Sequence, residues 1–189
     1  MVSLASKLKL LKLDYNVRRV RVIFLRDYPK LPTPSGLIDA RRGDEVELPR
    51  WQARILKDQG YVDFREQQVD IDYVNRYHFK ERKSSGASQL IGIPQDFYFK
   101  AGELVGKLNI VIRENPSHAL LRDREITEKN IIDIAEARLS KILRLVYSES
   151  RDIVEKVTPE EFALFNYMLN AVEQWRSYIK SIARGDLSG

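Results

Sequence analysis

The apolar residues between Thr127 and Glu149 predict a long amphipathic helix. Ile131, Ala135, Leu139, Ile142 and Val146 recur at spacings of four, four, three and four, and Ile134, Leu145, Ile132 and Leu143 widen the stripe on both sides. At about 100° per residue, Arg138 projects inside this arc, beside Ile134, Leu139 and Leu145. A charge in such a place is paired or hydrogen-bonded, because an isolated one costs several kcal/mol. A following helix starts at Thr158-Pro159-Glu160-Glu161, a capping box with proline in the first turn. Phe162, Phe165, Leu169, Val172, Trp175 and Ile179 continue it. With Leu164, Met168 and Ile182, its apolar positions cover more than half the circumference, and Arg176 falls inside them. So wide an apolar arc predicts contact with two partners. An earlier helix opens at Ile93-Pro94-Gln95-Asp96, carries Phe97, Ala101, Leu104, Leu108 and Val111 on its core side, and stops at Asn115-Pro116.

The N-terminal third has a different period. Val17 to Arg26 alternates, with Val20, Val22 and Phe24 on one side and Arg19 and Arg21 on the other, which predicts a half-buried strand. Tyr28 to Gly36 contains Pro29, Pro32 and Pro34 and reads as a loop. Leu37 to Arg41 reads as a second strand and Arg42-Gly43-Asp44 as a turn. Pro49 suits the start of a short helix, about Arg50 to Asp58, that stops at Gly60, and Tyr61 to Arg65 returns as a strand. Val20, Val22, Phe24, Trp51, Leu56 and Tyr61 are the expected core. Val69 to Phe79 fits either a strand extension or a short helix, and Glu81 to Ser88 reads as a flexible linker. The expected fold is α+β: a small β-rich module with one short helix over residues 1–66, a polar linker over 67–87, and an all-α domain over 88–189.

The charge distribution supports that division. The net charge of +5 is spread as +6 over residues 1–65, zero over 66–93 and −1 over 94–189. There is no cysteine, so disulfides and thiolate chemistry are excluded. No apolar run approaches the roughly 20 residues of a membrane span. Lys7, Lys9 and Lys12 interrupt the leucines of the N-terminus, unlike a signal peptide. An intracellular setting is expected.

Motifs for chemistry are sparse. His78 and His118, the only histidines, form no metal-ligand pattern, and there is no Gly-rich phosphate loop or nucleophile elbow. Gly102 and Gly106 form a G-x-x-x-G inside a charged helix, which reads as helix packing. Glu160-Glu161 is explained by capping and the helix dipole. No enzymatic activity, metal or cofactor is expected. The candidates for function are therefore surfaces. Arg138, Lys141, Arg176, Phe165, Met168, Val172, Trp175 and Ile179 are candidates for a subunit interface or a buried ion pair. Arg41, Arg42, Arg50 and Arg54 are candidates for contact with an acidic partner or DNA, beside aromatics able to stack on bases.

Two blocks carry a family resemblance. The first is Val20-Arg21-Val22-Ile23-Phe24-Leu25, then Gly43-Asp44-Glu45-Val46-Glu47-Leu48-Pro49, Ala53-x-x-Leu56 and Gly60-Tyr61-Val62. The second is Ile93-Pro94-Gln95-Asp96-Phe97-Tyr98, followed by Ala135-x-x-Arg138-x-x-Lys141-Ile142. In this order, over about residues 17–183, the chain resembles the GINS family of DNA replication subunits. With the β module first, it is similar to the archaeal class related to the eukaryotic PSF-two and PSF-three subunits. The resemblance implies a non-catalytic scaffold, cytoplasmic and chromosome-associated. It also implies a hetero-tetramer with a paralogous subunit, two copies of each, that joins the MCM helicase and a RecJ-related protein in the replicative helicase. The alternative is a stand-alone nucleic-acid-binding protein that uses the basic β module and dimerises through its helices.

Overall fold

The computed structural model describes residues 3–34, 36–67, 69–84, 90–148 and 155–185. The architecture is α+β, with β structure first and helices after it. The chain divides into two compact units, residues 9–68 and residues 1–8 with 69–189.

In the first unit, β1 (Arg19–Phe24) is the centre of a three-stranded antiparallel sheet, between β4 (Glu45–Pro49) and β5 (Val62–Phe64). Its alternation works as expected: Val20, Val22 and Phe24 are buried, while Arg19 and Arg21 are exposed. A second, two-stranded sheet pairs β2 (Tyr28–Thr33) with β3 (Gly36–Ala40). The loop expected from Tyr28 to Gly36 is thus largely a strand. Proline is tolerated in β2 because the strand pairs on one side only. The register shifts between Tyr28 and Leu31, Lys30 takes a positive φ, and its amide donates to the Asp39 carboxylate at 2.8 Å in place of a ladder partner. Leu31 and Ala40 join Val20, Val22, Phe24, Leu48, Ala53, Leu56 and Val62 in one core. The short helix α2 runs Arg50–Asp58 as expected, with Pro49 as its N-cap, and ends at Gly60, whose φ of 73° suits glycine. Two expectations about this core differ. Tyr61 packs at its edge, ring to edge with Tyr28. Trp51 is 49% exposed, because Ala53 and Leu56 form the buried face of α2 and Trp51 lies off it.

Leu4–Val17 forms a helix, α1, in a stretch to which the sequence reading assigned no element before the strand expected from Val17. Leu4, Leu8, Leu11 and Tyr15 do recur at helical spacing, but the leucines and lysines elsewhere around the helix hide the pattern. Tyr15 is its one buried residue.

The second unit contains α3 (Ile71–Lys83), α4 (Phe97–Glu114), α5 (His118–Ser148) and α6 (Pro159–Ala183). The polar stretch 67–87 assigned to a linker therefore holds α3 over Ile71–Lys83, capped by the Asp70 side chain on the Tyr73 amide. The Ser85 to Ser88 part of that expectation lies outside the described residues. Asp96 and Asn115 bound α4 as the sequence predicts. Helix α5 begins nine residues before Thr127, where Ser117 receives the Leu120 amide. Thr158 and Glu161 form the expected capping box of α6. Gly102 and Gly106 do not pack: a Cβ at either would meet nothing within 4 Å.

Two apolar clusters fill this unit. One gathers Tyr73, Val74, Ile93, Phe97, Ala101, Leu104 and Ile134, and the other Leu90, Ile142, Leu145, Val146, Val157 and Phe165. Ile134 and Ile142 of α5 belong to different clusters, and Arg138 lies between them on the same helix face.

Candidate subunit interface

Arg138 is fully buried, at 0% exposure. All five of its N–H groups are placed. Nε and Nη2 donate to Oε1 and Oε2 of Glu161 at 2.6 and 2.8 Å, Nη1 to Oε2 of Glu81 at 3.2 Å, and Nη1 and Nη2 to the carbonyls of Ile91 and Lys156, each at 2.7 Å. Glu81 gives its other oxygen to Lys141. Glu161 also accepts the Tyr98 hydroxyl at 2.7 Å and the Thr158 amide at 3.0 Å. Two cations thus meet two carboxylates, and the buried cluster is neutral.

The cluster ties the unit together. Glu81 comes from α3, Arg138 and Lys141 from α5, and Glu161 from the first turn of α6. Burial opposes the Arg138 charge. The Glu161 hydrogen bonds, with the charges of Glu161 and Glu81, outweigh it and raise the guanidinium above its ordinary pKa. The Tyr98 hydroxyl is raised well above the tyrosine range, first by burial and then by the Glu161 charge it donates to. Arg138 and Lys141 are therefore members of a buried ion cluster inside this unit. Glu81, Glu161 and Tyr98 are the partners that sequence reasoning missed. Glu161 was read as a cap only. Glu81 follows Val74 by seven residues, which puts it on the same helix face once α3 is recognised.

Arg176 is only half-buried, and its guanidinium lies 5.7 Å from the centre of the Tyr147 ring. Of the two roles expected for it, the buried ion pair requires a burial that does not occur. The C-terminal half of α6 is open on most sides, so the apolar positions around Arg176 do not enclose it. Phe165 is buried, and Met168, Leu169 and Val172 pack partly against the same cluster. Farther along, Trp175 is 64% exposed, and Tyr178, Ile179 and Ile182 are also exposed. On α5, Leu143 and Tyr147 are exposed, Tyr147 at 79%. The Arg176–Tyr147 contact links the two helices, and each carries exposed aromatic and aliphatic side chains.

In the β unit, the basic candidates separate. Arg50 is 4% exposed. Its guanidinium pairs with Glu66 at 2.7 Å and lies 4.4 Å from the Tyr15 ring and 5.6 Å from the Phe64 ring. It fixes α2 within its own unit and is not available to a partner or DNA. Arg41, Arg42 and Arg54 are exposed. The outer face of the sheet has mixed charge: Arg21 stands opposite Glu47, and Arg65 donates to Glu45 at 2.8 Å.

No family model and no curated protein matches this chain. Among the described residues, no helix is long and apolar enough to cross a membrane, and no group of acidic or histidine side chains is arranged to hold a metal.

Proposed function

We propose that this chain is a non-catalytic structural subunit that assembles through α5 and α6. The observation that carries the proposal is the exposed face of Leu143, Tyr147, Trp175, Tyr178, Ile179 and Ile182, on helices that a buried ion cluster holds in one arrangement. Large exposed aromatics over a fixed scaffold are what a subunit interface requires. The Arg-x-x-Lys pattern that contributes to the GINS resemblance is the pattern whose Arg138 and Lys141 form this cluster.

On that basis, the chain is a GINS-type DNA replication subunit, joining a paralogue in a hetero-tetramer with two copies of each. The tetramer in turn joins the MCM helicase and a RecJ-related protein, and the complex is cytoplasmic and chromosome-associated. The β unit is a docking module, with Arg41, Arg42 and Arg54 as its exposed cations toward an acidic partner or DNA. Native mass spectrometry of the complex purified from its source tests this reading. A tetramer of two chains of similar size, two copies each, is expected. Recovery of the chain by itself, or bound to nucleic acid only, would refute it.

A further inference from the structure

Where α3 ends and the chain approaches α4, the helical unit has a cleft of about 450 Å³, within the range of specific ligand sites. Its floor is Phe79, Leu90 and Ile91, and three lysines surround it: Lys80, Lys83 and Lys156. All three lysines are exposed, and among the described residues no carboxylate pairs with any of them. Lys83 Nζ lies 4.6 Å from the centre of the Phe79 ring and Lys80 Nζ 5.3 Å from that of Tyr77. Those contacts hold the ammonium groups in place without neutralising them.

The carboxylates of the buried cluster are already occupied. Both oxygens of Glu81 go to Arg138 and Lys141, and both oxygens of Glu161 go to Arg138, Tyr98 and Thr158. The buried cluster is neutral and supplies no countercharge to the cleft. It does fix the cleft's walls, because the Arg138 guanidinium holds the carbonyls of both Ile91 and Lys156. A preformed wall lowers the ordering cost of binding.

We propose that this cleft binds a short acidic segment of a partner protein. Its carboxylates would meet Lys80, Lys83 and Lys156, and one large aliphatic or aromatic side chain would rest on Phe79, Leu90 and Ile91. Charge complementarity selects the acidic groups, and the apolar floor selects the side chain between them. A nucleic-acid strand fits less well. Its phosphates need cations in sequence along a groove and its bases need open ring faces, whereas Lys83 already covers Phe79. The cleft shares no residue with the α5–α6 face, so this proposal stands apart from the assembly reading.

The test is an NMR titration of the ¹⁵N-labelled full chain with an acidic peptide, acetyl-Glu-Asp-Leu-Phe-Asp-Glu-amide. The controls are the same peptide with Ser-Ser at its centre and a short oligothymidylate. Saturable shifts at the Lys83, Leu90 and Ile91 amides are expected. Affinity should fall about tenfold or more in the K83E/K156E double variant, and weaken with added salt. These two lysines are exposed, so circular dichroism of the double variant should match the parent. The Ser-Ser peptide and the Phe79→Ala variant should each weaken binding severalfold. Three results would overturn the proposal: no shifts at millimolar peptide, equal affinity in K83E/K156E or for the Ser-Ser peptide, or oligothymidylate moving the same amides with equal or greater affinity.

Discussion

Arg138 and Glu161 form a two-point ion pair between the middle of α5 and the first turn of α6. The same Glu161 carboxylate closes the α6 capping box on the Thr158 amide. One side chain thus starts a helix and anchors it to its neighbour. Removing Arg138 takes its donors from Glu161, Glu81 and two backbone carbonyls and leaves the buried cluster with two carboxylates against Lys141 alone. Arg138→Ala is expected to cost on the order of 3 kcal/mol. Arg138→Met, which fills the space and suits the flanking apolar clusters, should cost less. Urea denaturation followed by circular dichroism measures both, and unchanged midpoints would contradict the arrangement described here.

Arg50 and Arg54 make a second comparison. Arg50 is enclosed by Tyr15, Phe64 and Glu66, and Arg54 is at the surface. Since Glu66 is partly exposed, its pair with Arg50 is partly screened. Arg50→Ala should cost about 2 kcal/mol, and Arg54→Ala no more than about 0.5 kcal/mol. Each unit carries one tryptophan, Trp51 and Trp175, so fluorescence of a Trp175→Phe background follows the β unit. Equal costs for the two arginines would show that burial does not distinguish them.

How much of this was legible in the sequence depends on the residue. Arg138 stood out because a charge inside an apolar helical stripe violates the pattern around it. Its partners did not. Glu161 had a sufficient local explanation as a cap, and local explanations conceal tertiary roles. Glu81 sits in Glu81-Arg82-Lys83-Ser84-Ser85, a composition that resembles a linker, yet α3 continues through Lys83 because its buried side is only Tyr73, Val74 and Glu81. β2 was hidden by its prolines, which are permitted on a strand paired on one side. β1, α2, α4 and the start of α6 were legible, because in each the period or the cap is set by neighbouring residues.

Tyr98 and Tyr73 predict a pH dependence. Burial is the first cause of both raised pKa values, so the folded chain holds both phenols neutral above the pH at which they ionise when unfolded, about 10. Their contribution to stability is intact below about pH 10 and is lost as pH rises beyond it, at up to about 1.4 kcal/mol per pH unit for each tyrosine. Urea midpoints at intervals from pH 8 to 11 should be flat at first and then fall. Tyr98→Phe should lower stability at pH 8, through loss of the Glu161 hydrogen bond, and reduce the steepness of the alkaline fall. An unchanged slope in that variant would contradict the role given to Tyr98.

Gly102 and Gly106 lie inside α4 with open space where a Cβ would stand. Gly102→Ala and Gly106→Ala should each stabilise the chain by roughly 0.5–1 kcal/mol, through the smaller backbone entropy of the unfolded state. A lower denaturation midpoint in either variant would show that the glycine face is in contact with something in solution.

Sedimentation of the purified chain at micromolar concentration tests the central claim most directly. If the face of Tyr147, Trp175 and Tyr178 is a subunit interface, the chain without its partner will cover that face by self-association. The Trp175→Glu, Tyr178→Glu double variant will then sediment as a monomer with unchanged helicity. A wild-type chain that is monomeric across that range, with the same sedimentation coefficient as the double variant, would contradict the assembly role.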